Sequence, residues 1–476
     1  MITPAMCVTY SYYNSPTIWL SISQILTFVI LNVFAAPLRC ETLATRILTW
    51  YVGFQTLKPF LEVREMGFCL SRWTNLTIVT GCFAGVCLFV FAGLCVAEEE
   101  LTAAEARICV TGFDHNRPDP FPGLGDFIGW AEAIERMPNG DLLLAHSAGY
   151  YHASFASPRQ IEPELKKQYA SEGWPVDYVA PTGGRSMVCR STDNGKTWSK
   201  PELVVDYRLD DRPDSLLTCR DGTILCGVNV QASWYGYPRA PPGYEDDISG
   251  LNTQQFVVRS TDNGHTWSDP IWIEPPPGAT YERAHGRPIQ LDDGGILWAT
   301  YCNSPEEIFG AVHRSDDSGK TWKIHSVVRR KNNKHIDEPA IAQLNDGRLI
   351  MVARPDGGVL YSDDDGANWV ESGSTVITSG KMKAPQLFVL QDGTVVMVGT
   401  WRNLRVWLSR DNGQTWTNDF PLDTSCYGYP GGLVLDDESI LVSYCKSGRT
   451  PNRVYVIRFQ VNEDRTGIKL LRVGDP

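Results

Sequence analysis

Ionisable and nucleophilic side chains stand at matching distances from a turn that recurs along the chain. Nine positions before the glycine of that turn, or before Glu438 in its place, stand His285, Glu338 and Tyr429. Seven positions after it stands Arg354. Imidazole, carboxyl, phenol and guanidinium groups are those that move protons, attack electrophiles and bind anions. Further candidates stand close to these positions in other copies: Trp130, Glu132, Arg212, Asp214, Arg287 and Arg402.

Two kinds of hairpin alternate along the chain. A polar-Asp-Gly turn between apolar strands occurs six times, the last as a variant, at residues 138–142, 220–224, 292–294, 345–349, 391–395 and 436–440. The phrase Ser-x-Asp-x-Gly-x-Thr-Trp occurs five times, with Asn368 replacing Thr once, at residues 191–198, 260–267, 315–322, 362–369 and 409–416. Its successive starts are 69, 55, 47 and 47 residues apart. A unit repeated at about 40–50 residues is typical of a β-propeller.

The aspartates of the Trp-bearing hairpins have two possible roles. Metal binding or acid catalysis is one. The other is structural, because each aspartate recurs together with its turn and its tryptophan. In such a turn the carboxylate accepts backbone N–H groups and the glycine takes a positive φ. We therefore predict that these aspartates build the turns and that the tryptophans fill the space between blades.

The two hairpin series predict an all-β fold of six four-stranded blades. A strand at 453–460 and a segment near 108–111 are expected to complete the last blade, which lacks a Trp-bearing hairpin. The first strand of each blade starts, and the second ends, on one face of the ring, which we call the mouth. The Trp-bearing hairpins lie on the opposite face. The candidate residues therefore converge on one central pocket, where buried charges need partners.

Two connections on the mouth side are long, at residues 149–185 and 230–253. Long loops in compact domains are often lids or binding loops. Aromatic rings over a polar cleft suit the apolar faces of sugar rings, and packing of the loops onto the propeller explains the same residues. The aromatic residues in question are Tyr150, Tyr151, Trp174, Tyr178, Trp234, Tyr235, Tyr237 and Tyr244.

The composition narrows the possible partners. The net charge of −12 argues against a nucleic-acid partner. Seven of the thirteen cysteines follow residue 97 without a Cys-x-x-Cys pair, which argues against zinc and favours buried apolar thiols. No cofactor or metal site is predicted. Calcium binding stays open, although no EF-hand pattern is present, and so does the oligomeric state.

The first 97 residues differ from the rest. Residues 17–34 and 76–97 are largely apolar, and three glutamates end the second run. We expect a signal peptide at 66–97 that starts at Met66, with 1–65 as an over-extended start. A membrane-anchored N-terminus is the alternative. In either case the six-bladed body at 98–476 is expected to be exported to the periplasm, the exterior or the outer side of a membrane.

The Trp-bearing hairpins resemble the Asp-box, or BNR, repeats of sialidases over roughly residues 120–460. Sialidases attack with a tyrosine assisted by a glutamate, bind the substrate carboxylate with three arginines and use an aspartate as acid and base. The stretch with Glu338 and Arg354 resembles the one that holds the glutamate and the second arginine. Arg402 resembles the third arginine. Tyr429 resembles the nucleophile, with Tyr427 as a neighbouring competitor.

Two parts of the family pattern are missing. The first-blade Arg-Ile-Pro is replaced by Trp130-Ala131-Glu132. No aspartate stands where the acid and base is expected after His146, and Asp177 is out of register. A missing arginine removes a bidentate contact to the substrate carboxylate. Substitutes are expected from elsewhere in the ring: Arg212 or Arg287 for the arginine, and Asp214 or Glu132 for the acid.

The resemblance implies a mechanism for the remaining residues. A phenol with a pKa near 10 is a poor nucleophile at neutral pH, so Glu338 would take the proton of Tyr429 during attack. Arg354 and Arg402 would hold a negative substrate group and keep Glu338 ionised. The alternative for Glu338 and Arg354 is a plain ion pair between two strands.

Three functions stay open, each with a glycan as the partner. The first is an exported glycosidase that acts on sialic acid or another acidic sugar. The second is a carbohydrate-binding propeller without catalysis. The third is a polysaccharide lyase, in which Tyr429 and His285 remove a proton next to a uronate carboxylate. If the chain is such a glycosidase, the candidates for substrate binding include His285, Trp130 and Glu132.

Overall fold

The structure, a computed structural model, describes residues 100–112, 127–149, 167, 171, 184–206, 210–231, 253–377, 380–425, 428–445 and 453–475. All of them belong to the compact unit Glu98–Pro476. The predicted signal peptide at 66–97 and the over-extended start at 1–65 lie outside the described residues. Among the residues described, no helix is long and apolar enough to cross a membrane.

The described strands form six separate sheets, which are the six predicted blades. A short helix, α1 (Ala103–Ala106), and strand β1 (Ile108–Gly112) come first. Blade 1 consists of β2 (Phe127–Arg136), β3 (Leu142–Gly149), β4 (Gly184–Ser191) and β5 (Glu202–Val205). Blade 2 consists of β6 (Asp210–Thr218), β7 (Ile224–Gln231), β8 (Thr253–Ser260) and β9 (Ile271–Ile273).

The inner strand of blade 3 is interrupted. Blade 3 consists of β10 (Tyr281–Arg283), β11 (Ile289–Gln290), β12 (Ile296–Asn303), β13 (Ile308–Ser315) and β14 (Lys323–Val328). Both β10 and β11 pair with β12. A 3-10 helix (Lys331–Asn333) leads to blade 4, which consists of β15 (Asp337–Gln343), β16 (Leu349–Arg354), β17 (Gly358–Ser362) and β18 (Val370–Thr375).

The last blade joins the two ends of the described chain. Blade 5 consists of β19 (Lys383–Val389), β20 (Val395–Trp401), β21 (Asn403–Ser409) and β22 (Phe420–Asp423). Blade 6 consists of β23 (Gly431–Val434), β24 (Ile440–Cys445), β25 (Arg453–Val461) and β26 (Ile468–Leu471). Strand β1 pairs with β25 in this sheet. The predictions that 453–460 forms a late strand and that 108–111 closes the ring are therefore confirmed.

The Trp-bearing hairpins are turns held by their aspartates, as predicted. In the third copy, Asp317 Oδ1 accepts the Thr321 N–H at 2.9 Å and Asp317 Oδ2 accepts the Thr321 hydroxyl at 2.6 Å. Ser315 Oγ accepts the N–H of Gly319, whose φ is +79°. The same bonds recur around Asp193, Asp262, Asp364 and Asp411. Because their carboxylates are bonded within the turns, these aspartates have a structural role on the face opposite the mouth.

The core lies in the layers between neighbouring blades. The middle strands are apolar on both faces because each face packs against another sheet, as Leu142, Leu143 and Leu144 show with no exposure. Phe388 of blade 5 packs with Tyr444 and Ile457 of blade 6. Hydrogen bonds also reach between blades, such as the one from the Ser443 hydroxyl to the Ala131 carbonyl at 2.8 Å. The inner strands are therefore held at fixed distances around the axis.

Candidate active site

The inner strands of four blades carry a bulge at the mouth, including β6 between Pro213 and Ser215. The strand pairings of β2, β15 and β19 shift register beside Trp130, Glu338 and Ala384. These three residues have φ values of 51°, 45° and 44°. A left-handed conformation costs energy for a residue other than glycine and is concentrated at functional sites. The bulges therefore concentrate backbone strain at this end of the channel, which is where a functional site is expected.

Glu338 joins residues from three blades at the mouth. Its Oε1 accepts hydrogen bonds from the Tyr429 hydroxyl at 3.0 Å and from Arg354 Nη1 at 2.6 Å. Its Oε2 accepts the backbone N–H of Ala384 at 2.7 Å. The Glu338 side chain is only 1% exposed. Tyr429 and Glu338 thus lie in direct contact, which is the geometry that the resemblance implied.

Burial sets the protonation of this pair. Burial raises the pKa of Glu338, and the neighbouring Arg354 opposes that rise. Burial, followed by the charges of Glu338 and Glu132, raises the pKa of Tyr429 well above its ordinary value. The phenol is therefore neutral at neutral pH and donates a hydrogen bond to the carboxyl group of Glu338. This arrangement can transfer the phenolic proton to Glu338 while the phenol oxygen attacks an electrophile.

Two aromatic rings pack against Tyr429. The Trp130 ring lies 4.8 Å from it between centroids, at an interplanar angle of 47°. The His285 ring lies 4.7 Å away at 27°. The guanidinium of Arg212 lies over the Trp130 ring at 4.9 Å. Trp130, which stands where the family pattern has an arginine, therefore supports the tyrosine ring instead of supplying a charge.

His285 reaches across the channel to Glu132. Its Nδ1 lies 2.5 Å from Glu132 Oε2, and both side chains are buried. Burial lowers the pKa of His285, helped by Arg283, and burial raises the pKa of Glu132, helped by Asp214. Both shifts favour the uncharged forms, so the contact is a hydrogen bond between an imidazole and a carboxyl group rather than an ion pair. Gln386 Nε2 holds the His285 carbonyl at 2.5 Å, so the ring behind Tyr429 is fixed from two sides.

Asp214 lies in blade 2 beside this pair. Its Oδ2 accepts Gln255 Nε2 at 2.6 Å and Asn229 Nδ2 at 3.2 Å. Burial raises the pKa of Asp214 from its ordinary value of 3.8 to about 7, against the effect of these two amides. Its Oδ1 has no hydrogen-bond partner within the described residues. A carboxyl group that keeps its proton near neutral pH can serve as an acid.

The arginines are distributed unevenly around Tyr429. Burial lowers the pKa of Arg283, but the phenols of Tyr281, Tyr301 and Tyr429 raise it overall, so the guanidinium stays cationic beside Tyr429. Arg287 donates to Glu135 at 2.6 Å. Arg402 is exposed, with its guanidinium 5.3 Å from the Trp401 ring.

The arginine that sequence reasoning missed is Arg283. The structure brings Arg212 and Arg354 close to the tyrosine, whereas Arg287 and Arg402 contact other side chains. Arg283 stands two residues before His285 in the interrupted inner strand of blade 3. The same spacing of two relates Trp130 to Glu132 and Arg212 to Asp214, and that shared spacing is the signal that could have found it.

Several predicted candidates lie outside the described residues. They are Asp177, Tyr427 and the aromatic residues of the two long connections, Tyr150, Tyr151, Trp174, Tyr178, Trp234, Tyr235, Tyr237 and Tyr244. Over the described ranges, no group of three or more His, Cys, Asp or Glu side chains is placed to hold a metal ion. Five of the six described cysteines are buried free thiols.

Two family models match the chain. A BNR repeat-like domain matches residues 242–442, and a BNR/Asp-box repeat matches residues 190–200. A sialidase of Bacteroides fragilis is 26% identical over 292 residues, which cover 54% of this chain and 53% of that protein. A sialidase of Micromonospora viridifaciens is 29% identical over 210 residues, 41% of this chain and 31% of that protein. The chain thus spans about half or less of the length of these relatives.

Solved structures share the fold. A protein of unknown function from Dyadobacter fermentans has a TM-score of 0.57 at 18% identity, covering 77% of this chain and 100% of that one. The Hadza microbial sialidase Hz136 has a TM-score of 0.53 at 19% identity, covering 70% of this chain and 66% of that one. At these identities the likeness concerns the propeller itself.

Proposed function

The chain belongs to the sialidase superfamily of Asp-box β-propellers, and on that premise we propose that it is a glycoside hydrolase for an acidic glycan sugar. Sialic acid is one candidate sugar. The observation that carries the proposal is the 3.0 Å hydrogen bond from the Tyr429 hydroxyl to Glu338. A fold alone does not define an activity, but a phenol bonded to a buried carboxylate at a channel mouth has the geometry of an activated nucleophile.

The proposed reaction has two steps. In the first, Tyr429 Oη bonds to the anomeric carbon, its proton moves to Glu338, and the leaving-group oxygen takes a proton from Asp214 as the glycosidic bond breaks. In the second, water attacks the same carbon and gives its proton to Asp214, while the tyrosine oxygen leaves and recovers its proton from Glu338. Asp214 is our choice of acid because its pKa is about 7 and its Oδ1 is unpaired among the described side chains.

The negative group of the sugar would meet arginines from blades 3 and 4. Arg354 is bonded to Glu338 and is partly exposed, and Arg283 lies beside the three phenols. Arg402 is exposed on the mouth-side turn between β20 and β21 and can reach a larger substrate. Glu132 and His285 would act through Tyr429, because they fix its ring rather than face the mouth.

We also propose that the enzyme acts outside the cytoplasm. Its partner there is a glycan or a glycoconjugate. We propose export of the body at 98–476, on the basis of the apolar run at 76–97 in the sequence.

The test is an activity screen with the purified full chain. The substrates are fluorogenic sialosides and glycosides of uronic acids, with neutral hexosides as the control. We expect hydrolysis of an acidic glycoside, a loss of at least about a thousandfold in Tyr429→Phe, and a similar loss in Glu338→Gln. Lys320→Ala, an exposed change in a Trp-bearing hairpin on the face opposite the mouth, is the matched control. Unchanged turnover in Tyr429→Phe would refute the mechanism.

A lyase is the second candidate, and the stacking of His285 on Tyr429 at 4.7 Å is the observation that favours it. Such an enzyme would remove a proton next to a uronate carboxylate and leave an unsaturated sugar. Ultraviolet absorbance of the products separates the two reactions. Binding of a glycan without any product would instead assign the chain to the non-catalytic propellers.

A further inference from the structure

A cavity of about 190 Å³ lies between blades 2 and 3. Strand alternation explains which side chain of β10 reaches it. Tyr281 and Arg283 point to one face of blade 3, and Glu282 between them points to the opposite face, against which blade 2 packs. The residues that line the cavity together with Glu282 are Gln254, Gln255, Trp272, Ile273, Glu274 and Pro275.

Glu282 has one fully bonded oxygen and one unpaired oxygen. Its Oε1 accepts the Thr300 hydroxyl at 2.7 Å and lies 2.6 Å from His313 Nε2. The Cys302 thiol lies 3.7 Å from the same oxygen. Its Oε2 has no hydrogen-bond partner within the described part of the chain, although the side chain is only 2% exposed. A buried carboxylate oxygen without a partner is costly, so it indicates a ligand that donates a hydrogen bond.

The charges of the lining favour a cation. Glu282 and Glu274 are acidic, and no Lys, Arg or His is among the described residues that line the cavity. The Gln255 amide is already used, because Nε2 donates to Asp214 at 2.6 Å and Oε1 accepts the Ala284 N–H at 3.3 Å. An anion in the cavity would be repelled by two carboxylates, whereas a cation would be attracted by both.

The apolar part of the lining argues against a bare metal ion. Calcium takes about six to eight oxygen ligands, whereas Trp272, Ile273 and Pro275 form much of this wall. The Trp272 ring is 42% exposed and is fixed by an edge contact with the Phe256 ring, 5.1 Å away between centroids. An indole ring attracts an ammonium group, and its apolar surface packs against an alkyl chain. The lining therefore suits an organic ammonium ion.

Burial and volume define how such a ligand would enter. Glu282 is buried whereas Glu274 is exposed, so the charged end of the ligand would point inward and its chain outward. The volume is below the lower limit of about 300 Å³ for sites that hold drug-sized molecules, which leaves room for one short chain.

We propose that this cavity binds a primary ammonium group on a short alkyl chain, with an N–H donated to Glu282 Oε2. The side chain of a lysine in a peptide and a free alkylamine share this chemistry. The inference goes beyond the proposed function, and it does not depend on Tyr429 being the nucleophile.

Saturation-transfer NMR with the full chain tests this binding. The probe is n-butylammonium at up to about 10 mM, and butyrate, an anion with the same number of carbon atoms, is the control ligand. We expect a signal from butylammonium and none from butyrate. Glu282→Gln keeps the size of the side chain but removes its charge, and it should weaken binding by about tenfold or more. No signal from butylammonium, equal binding of butyrate, or unchanged affinity in folded Glu282→Gln would overturn the proposal.

Two exposed variants decide the question if Glu282→Gln fails to fold. Trp272→Ala removes the ring and Glu274→Gln removes the outer charge, and each should weaken butylammonium binding by about threefold. The matched control is Glu463→Gln, an exposed change in the turn between β25 and β26, which should leave the affinity unchanged. Equal affinities of these three variants would contradict the assignment of the cavity.

Two further ligands separate the possible sources of the ammonium group. Nα-acetyl-lysine amide presents the lysine side chain between two peptide groups, and 1,5-diaminopentane is a free amine of similar length. Displacement of butylammonium by the lysine derivative supports a peptide partner, and displacement by the diamine alone supports a free amine. If neither displaces it, the proposal is wrong. These assays measure binding only, so a failure of the proposed hydrolase reaction does not change their outcome.

Discussion

The indole of Trp130 packs against the ring of Tyr429 at 4.8 Å between centroids, with Arg212 on the indole at 4.9 Å. A tryptophan thus stands where related propellers are expected to place a cation. A positive charge is still present on this side of the channel, because the guanidinium of Arg212 lies over the Trp130 indole. Under the proposed function, recognition of an acidic group therefore falls to the arginines of blades 3 and 4.

The first prediction concerns this ring contact. Trp130→Phe keeps an aromatic ring against Tyr429 and should change kcat by less than about threefold. Trp130→Ala removes the ring, and aromatic pairs contribute about 0.5–1.5 kcal/mol beyond their buried area, so kcat should fall about tenfold. Steady-state kinetics on the best acidic glycoside measure both. Equal kcat values for the two variants would show that the contact does not position the nucleophile.

The second prediction concerns pH and Asp214. Its pKa in the folded protein is about 7, above its ordinary value of 3.8, because it is buried. Between these two values the folded state binds more protons than the unfolded state, so stability falls as pH rises from about 4 to about 7. The full effect corresponds to on the order of 4 kcal/mol. Asp214→Asn should therefore gain stability relative to the wild type at pH 8 more than at pH 5.

Urea unfolding at the two pH values measures this difference. Asp221→Asn is the matched control, because hydrogen bonds from Ser318 and Thr223 lower the pKa of Asp221. Its contribution is present above its ordinary pKa and is lost as pH falls below it, which is the opposite sign. A wild-type chain and an Asp214→Asn chain with parallel stability profiles would contradict the account of Asp214.

The third prediction separates the Asp-box turns from the chemistry. Asp317→Ala removes three hydrogen bonds, to Ser315 Oγ and to the backbone and side chain of Thr321. The unfolding free energy should fall by about 1–3 kcal/mol. The kcat should stay within about twofold at a temperature where the variant is folded. A large loss of kcat in the folded variant would indicate that Asp317 takes part in the reaction.

The fourth prediction concerns ring closure. A methyl group at Gly431 would overlap the backbone carbonyl of Glu132, where blade 6 meets blade 1. Backbone cannot move aside as a flexible side chain can, so Gly431→Ala should cost about 1–3 kcal/mol. The matched control is Gly399→Ala, because its new methyl group would lie 3.4 Å from the Lys383 carbonyl, at the short end of ordinary contact. Thermal melts that rank the two variants in the reverse order would contradict this assignment.

The sequence predicted the six blades because hairpin repeats carry their own turn chemistry. It also predicted that Glu338 and Tyr429 would meet, because residues at the same distance from equivalent turns share one level of a ring. Two features escaped this counting. Arg283 lies in an inner strand that breaks after it, and the contact between His285 and Glu132 spans the channel, which spacing along the chain cannot show. Side-chain direction across an axis depends on packing, not on register.

The most direct measurement of the central claim is covalent trapping of the nucleophile. The full chain is treated with a fluorinated glycosyl fluoride of the acidic sugar that it hydrolyses, and peptides are examined by mass spectrometry. Fluorine beside the anomeric carbon slows release of the glycosyl group, because it destabilises the oxocarbenium-like transition state. We predict a glycosyl adduct on Tyr429, absent from Tyr429→Phe. An adduct on another residue of an active chain, or inactivation that persists in Tyr429→Phe, would contradict the account.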